Sequence, residues 1–152
     1  MMGKVEDTLK KFTKAMNDHD AKAVSALYAD DAVAYDPFYP EPLRGRQAIE
    51  EDAASTFKSF SDLRIEVFNV IEKDDRNGAA EYSYKGMNDG PLAIPGGDLP
   101  ATNKRMEMRG GGFAKLNESG QITEERRYYD TGQLMQQLGL SGAPPTAAKD
   151  AR

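Results

Sequence analysis

The sequence of 152 residues has no cysteine and a single histidine, His19. Without cysteine there can be no disulfide framework, zinc ribbon, iron-sulfur site or thiol nucleophile, and any histidine-dependent scheme must pass through His19 alone. Metal-assisted hydrolysis and a Ser-His-Asp triad are accordingly disfavoured, and no metal site is expected. A basic surplus is also lacking, since 20 Lys and Arg stand against 25 Asp and Glu for a formal net charge of -5. Phosphate neutralisation needs clustered cations, so no nucleic-acid partner is expected. No apolar run approaches the roughly 18 residues of a membrane span. The opening MMGKVEDTLKK is polar and mixed in charge, without the apolar stretch of a secretory signal. The expectation is a soluble, cytoplasmic protein with no membrane partner.

What is present is enough for one core. Hydrophobic residues make up 39% of the chain, and a domain of this size buries roughly two thirds of its unfolded surface without disulfides or metal. Val5, Leu9, Phe12 and Met16 recur at helical spacing and predict an amphipathic helix. Asn17-Asp18-His19-Asp20 breaks it, with Asp18 or Asp20 able to cap a second short helix through Val24, Leu27 and Tyr28. His19 in this link reads as a solvated loop residue. Ala32 to Tyr35 has strand composition and runs into Asp36-Pro37-Phe38-Tyr39-Pro40-Glu41-Pro42, where three prolines forbid a helix or a central strand. Gly45 to Phe60 carries Ile49, Ala53, Phe57 and Phe60 at helical spacing, with Glu50, Glu51 and Asp52 in the half where the helix dipole favours acids.

Leu63 to Asn69 alternates as a strand, Asp74 to Gly78 supplies a turn containing Asn-Gly, and Ala79 to Lys85 returns. Gly90 to Asn103 reads as a long Gly- and Pro-rich connection. Met106 to Leu116 and Ile122 to Tyr129 form another hairpin, and Thr131 is placed to cap a last short helix through Leu134 and Leu138, ended by Gly139. Gly110-Gly111-Gly112 lies between strand-like residues and reads as a bend or bulge rather than a phosphate loop. Ser141 to Arg152 lacks large apolar groups and is expected as a flexible tail, leaving residues 1-140 as the domain. Helices at the front and strands at the back give an α+β domain, a curved antiparallel sheet packed on a helical layer.

The element order, the segment Leu27-Tyr28-Ala29-Asp30-Asp31-Ala32-Val33, and the run from Gly120-Gln121-Ile122 through Tyr128-Tyr129-Asp130 to Gln137-Leu138-Gly139-Leu140 resemble the SnoaL-like polyketide cyclase branch of the nuclear transport factor 2-like (NTF2-like) superfamily. The resemblance extends from about Val5 to Leu140. It implies a cone whose bent sheet wraps the helices around an apolar pocket, usually in a homodimer, and acid/base chemistry without a cofactor where the member is an enzyme. The same cone hosts cyclases, ketosteroid isomerases, epoxide hydrolases, dehydratases and proteins without a reaction, so the chemistry must come from the pocket residues.

Asp130 is the first candidate for catalysis. Strand alternation sets Arg126, Tyr128 and Asp130 on one face, and a carboxyl group in an apolar cone can shuttle a proton beside a carbonyl. In the cyclase family the matching Asp is the acid/base residue. Its other reading is a helix cap accepting from Gly132 or Gln133. Gly86-Met87-Asn88-Asp89-Gly90 resembles a Gly-x-His-x-Gly segment in which the His assists catalysis. Asn88 stands at that position, able to support an oxyanion but not to transfer a proton, or else to form a turn. Tyr35 is a candidate donor to a substrate oxygen, and Asp36 and Phe38 belong to the expected pocket mouth, with Asp36 alternatively a turn acid before Pro37.

Met106 and Met108 alternate with Arg105, Glu107 and Arg109 and are expected to line an apolar wall. Arg126 and Arg127 must point opposite ways, and whichever is internal can pair with Glu107 or Asp130. The sequence thus predicts a cofactor-free cyclase or isomerase acting on a small, mostly apolar carbonyl compound, with Asp130, Asn88 and Tyr35 catalytic and Tyr128, Arg126, Asp36, Phe38, Met106 and Met108 binding the substrate. The alternative is a non-catalytic ligand-binding or dimerisation module of the same superfamily, to which the departure at Asn88 points.

Overall fold

A computed structural model describes residues 3–140; the expected tail, 141–152, lies outside the described residues. The first helix, α1 (Lys4–Asn17), buries Val5, Thr8, Ala15 and Met16, and carries Glu6 and Asp7 in its first turn where the dipole favours them. Asp20 caps α2 (Ala21–Ser25), its carboxylate accepting from the Ala23 amide at 3.0 Å. His19 precedes it in the left-handed region at φ 56. Rather than being solvated, His19 is half-buried, stacks on Phe57 at 4.7 Å and sets Nε2 2.8 Å from the Leu63 carbonyl oxygen.

The second helix stops short of Leu27 and Tyr28. Tyr28 instead starts β1 (Tyr28–Tyr35), where it is fully buried. A two-residue strand, β2 (Leu43–Arg44), pairs with it, and α3 (Arg46–Ser59) follows from Gly45 at φ 90, burying Ile49, Ala53 and Ser59. The long strands are β3 (Arg64–Asp74) and β4 (Asn77–Met87). Their connection is only Asp75-Arg76, tightened by the Asp74 carboxylate accepting from the Arg76 amide at 2.8 Å and the Asn77 side chain at 2.9 Å. Asn77-Gly78 is therefore in the strand, not in the turn. Gly78 is there for space, because a Cβ would lie 2.5 Å from Val5 Cγ1 on α1.

The Gly- and Pro-rich stretch folds into a small hairpin of its own, β5 (Leu92–Ile94) with β6 (Gly97–Leu99), turning on Gly96 at φ 94. Then come β7 (Arg105–Leu116), β8 (Ile122–Tyr128) and α4 (Thr131–Gln137). The main sheet runs β2-β1-β8-β7-β4-β3 and is open at both edges. Four of its pairs are antiparallel, but β1 and β8 run parallel, from Tyr28 opposite Ile122 to Tyr35 opposite Arg126. Strand pattern carries no information on direction; that depends on where the chain re-enters the sheet.

Helices α1 to α3 cover one face of the bent sheet, and the core lies between, built from Met16, Val24, Tyr28, Ile49, Phe60, Leu63, Met106, Met108 and Leu138 among others. The architecture is the α+β fold of curved sheet and helix layer expected from the sequence, except that the sheet, expected as antiparallel, contains the parallel β1–β8 pair. Gly110, Gly111 and Gly112 pair with Tyr82, Glu81 and Ala80 in unbroken register, so they form no bulge. Their role is close approach: a Cβ on Gly110 would lie 2.7 Å from the Tyr128 carbonyl oxygen. Among the described residues no helix is long and apolar enough to cross a membrane.

Candidate active site

Alternation along three strands decides what faces the helices. On β7, Met106 and Met108 are buried while Arg105, Glu107 and Arg109 are exposed. The register carries this phase to Tyr84 and Tyr82 on β4, opposite Met108 and Gly110, and to Arg127 on β8, opposite Gly112. These inward groups, with residues of α1, α3 and the proline-rich loop, enclose a cavity of about 140 Å³. Most of its wall is apolar or aromatic, including Phe12, Met16, Phe38, Ile49, Phe60, Leu92 and Leu134.

One wall is charged, with Arg127 at its centre and only 14% of the side chain exposed. Its Nη1 lies 3.0 Å from Asp36 Oδ2 and 3.0 Å from Asp52 Oδ2. On the other side of the guanidinium, Nε and Nη2 are each 3.1 Å from Glu125 Oε1. Every carboxylate in this cluster also takes a phenol: Tyr129 donates to Asp36 at 2.6 Å, Tyr39 to Asp52 at 2.7 Å and Tyr28 to Glu125 at 2.7 Å. Asp36 accepts a third hydrogen bond from the Phe38 amide at 2.9 Å, whereas the Asp52 carboxylate accepts none from the backbone among the described residues. Asp36 and Asp52 line the cavity; Glu125 stands behind the arginine, outside the lining.

The electrostatics follow from this arrangement. Burial disfavours the Arg127 charge, but Glu125, Asp52 and Asp36 outweigh it and hold the guanidinium above its ordinary pKa. Burial first, and then the Asp36 carboxylate, raise the Tyr129 phenol far above the usual range; burial and Asp52 do the same for Tyr39. These phenols are therefore neutral donors. Removing one partner of such a buried set leaves an uncompensated charge, so the cluster stands or falls as a unit.

Four predicted residues reach the cavity: Asp36, Phe38, Met106 and Met108 all line it. Five do not. Asp130 is exposed and caps α4, its Oδ1 accepting from the Gln133 amide at 3.0 Å, the helix-cap alternative for an acid at a strand-to-helix junction. Asn88 is fully buried but outside the cavity lining; it donates to the Ser59 and Gly90 carbonyls at 3.0 Å and accepts from the amide and hydroxyl of Thr102 at 2.9 Å. With all its bonds committed, Asn88 pins a loop and has nothing left for an oxyanion. Arg126 and Tyr128 point to the opposite face of the sheet, and Tyr35 joins them there, with the Arg126 guanidinium 4.2 Å above its ring.

The internal arginine is thus Arg127, and its partners are Asp36, Asp52 and Glu125 rather than the exposed Glu107 and Asp130. Asp52, Tyr39, Tyr82, Tyr84 and Tyr129 were not singled out by sequence. For Asp52 a signal existed: three residues after Ile49 and one before Ala53, it sits within the apolar stripe of α3, where an acid needs a buried partner. Among the described residues no three or more His, Asp or Glu are grouped to hold a metal ion.

The cone recurs in solved structures. A candidate SnoaL-like polyketide cyclase from Jannaschia sp. CCS1 superposes with a TM-score of 0.75 at 17% identity, covering 91% of this chain and 94% of that one. A candidate polyketide cyclase from Xanthomonas campestris gives 0.75 at 22% identity, over 89% and 96%. A protein of ketosteroid isomerase-like fold from Catenulispora acidiphila, in complex with trimethylamine, gives 0.72 at 16% identity, over 89% and 94%. At these identities the likeness is one of fold. A search of the curated proteins finds no match. The family model for SnoaL-like polyketide cyclases matches residues 6–138, from the first turn of α1 to the end of α4 and hence across every element that builds the cavity, and the chain belongs to that family.

Proposed function

We propose that the protein is a cofactor-independent enzyme of cyclase or isomerase type, moving a proton on a small, mostly apolar, oxygenated molecule held in the cavity. The observation that carries the reading is the pair Asp36 and Asp52 on one guanidinium nitrogen, each with its own phenol, in the wall of an otherwise apolar chamber. Asp52, with two hydrogen bonds against three on Asp36, keeps spare lone pairs and is assigned as the general base. Arg127 and Tyr129 hold Asp36 in place, and that carboxylate positions the guanidinium. A base that takes a proton beside a carbonyl and returns it elsewhere serves enolisation and aldol-type ring closure alike.

An assay needs no knowledge of the natural substrate. In deuterium oxide, the protein is expected to accelerate exchange of the α-protons of 2-tetralone, a small enolisable bicyclic ketone, over buffer as followed by NMR. Asp52→Asn is expected to lower that rate by about 10²-fold or more. Exchange no faster than buffer, or a fully active Asp52→Asn, overturns the reading. A non-catalytic binding module is the second reading, favoured by the mutual satisfaction of Arg127 and its carboxylates, and it is what a silent exchange assay with retained binding supports.

We further propose a second copy of the chain as partner, seated on the outer face of the sheet. There Ile71, Phe113 and Tyr128 are 68%, 59% and 55% exposed around an open groove. Lys73, Lys115, Arg126 and Glu124 rim the same groove, a mixture of charge that a two-fold axis can match to itself.

A further inference from the structure

The polar groups of the cavity differ in what they have left to give. Tyr129 and Tyr39 have spent their hydroxyl hydrogens on Asp36 and Asp52, and Tyr82 donates to the Gly111 carbonyl at 3.2 Å. Ser59 donates to the Ser55 and Pro91 carbonyls, and Thr56 to that of Asp52. Tyr84 lines the same cavity, beside Tyr82 at 5.4 Å between ring centroids, and its hydroxyl has no hydrogen-bond partner among the described residues. Tyr84 is half-buried, and a hydroxyl that faces a cavity with no protein acceptor has its hydrogen left for whatever enters. The phenol does not ionise: burial first, and then its neighbours Tyr82, Glu125 and Asp52, hold it well above the ordinary tyrosine range against the pull of Arg127. It is a neutral O–H pointing into an apolar chamber beside the charged wall.

We propose that Tyr84 is the ligand-anchoring residue of the cavity, donating its phenol hydrogen to a carbonyl or other acceptor oxygen of an uncharged ligand. The proposal rests on the cavity being the reactive site and adds to it the polarity of what is bound. One guanidinium against two carboxylates in the wall and a third, Glu125, behind it leaves the cluster formally two charges negative, which opposes an anionic ligand. Apart from the half-buried Ser55 hydroxyl on α3, the remaining lining is apolar or already hydrogen-bonded, so the sheet side of the chamber offers an acceptor oxygen its free donor at Tyr84, with Met106, Met108 and Phe60 as apolar wall for the carbon skeleton.

The test compares 2-tetralone with tetralin, the same skeleton without the oxygen, as probes. In the wild-type protein the carbonyl stretch of bound 2-tetralone is expected at lower frequency than in a non-donating solvent, by isotope-edited infrared difference spectroscopy. Tyr84→Phe, which removes one oxygen atom, is expected to abolish the displacement and weaken 2-tetralone binding about three- to ten-fold, with tetralin affinity unchanged. Tyr82→Phe is expected to keep the displaced stretch while lowering the thermal midpoint, because its hydroxyl is already bonded within the fold. Tyr84→Phe is expected to leave that midpoint unchanged or raised. A displaced stretch that persists in Tyr84→Phe, a wild-type protein that does not bind 2-tetralone, or equal loss of both probes overturns the proposal. Its failure is separable from that of the acid/base reading. A lost stretch without proton exchange keeps the anchor and sinks the base, and exchange with the stretch intact does the reverse.

Discussion

At the scale of single residues, the site is a case of one cation holding three acids, each acid in turn held by a phenol. Its most direct consequence is alkaline. Tyr28, Tyr82, Tyr84 and Tyr129 are held protonated in the fold, burial being the first cause for each, while the same phenols in the unfolded chain ionise near their ordinary value of about 10. A raised folded-state pKa means that stability is fully present below about pH 10. It falls as pH rises beyond that, because unfolding then releases protons. The slope is of order 1.4 kcal/mol per pH unit for the fully buried Tyr28, and less for Tyr82, Tyr84, Tyr129 and Tyr39, which are more open to solvent screening. Urea midpoints between about pH 8 and about pH 11 are expected to drop, with tyrosinate absorbance from these positions appearing together with unfolding. Their reversible titration near pH 10 in a protein with native circular dichroism counts against the assignment. Why sequence left the inward arginine of β8 open is also visible at this scale. The stretch Glu124-Glu125-Arg126-Arg127-Tyr128-Tyr129 doubles each letter, so both faces of β8 read Glu-Arg-Tyr and nothing in the strand itself says which face is inside. On β7 the opposite phase would have buried Arg105 and Glu107 as an ion pair; the apolar choice, Met106 and Met108 inward, is the one the structure has.

At the scale of elements, what sequence made legible were the periodic ones: α1, α3 and the long strands follow from apolar spacing alone. The β5–β6 hairpin and the two-residue β2 did not, since Gly and Pro obscure the pattern and so short a strand has no period. Glycine was ambiguous in a further way, marking turns at Gly96 but close approach at Gly78 and Gly110. Gly110 gives a direct measurement of that second role. A methyl group there would meet the Tyr128 carbonyl oxygen at 2.7 Å and Tyr129 Cβ at 3.2 Å, so β7 and β8 must separate. Gly110→Ala is expected to lower stability by about 1–3 kcal/mol in urea unfolding. The strand that moves carries Arg127 and leads into Tyr129, so 2-tetralone exchange is expected to fall even where the variant is fully folded. A variant within about half a kcal/mol of wild type with full exchange shows that the two strands have slack, and that the glycine is not needed for the site.

At the scale of the whole molecule, the sheet separates two chemistries. Its inner face holds the cavity and the buried acids; its outer face carries Ile71, Phe113, Tyr128 and Phe68 in water, with Phe113 and Tyr128 edge-to-face at 6.0 Å and Arg109 4.0 Å above the Phe68 ring. A contiguous exposed aromatic patch on one side of an open sheet is costly for a monomer and useful for an interface. If a second copy covers it, sedimentation equilibrium at micromolar concentration should report twice the chain mass, and Ile71→Lys with Phe113→Lys should return the monomer by setting like charges across the two-fold axis beside Lys73 and Lys115. Because those two side chains lie on the far side of the sheet from Asp52, the monomeric double variant is expected to keep 2-tetralone exchange. Monomeric wild type, or a double variant that stays dimeric, removes this face as the interface. A monomer that has lost exchange means instead that the partner copy is needed to hold the sheet's curvature, and with it the spacing of Arg127 from α3.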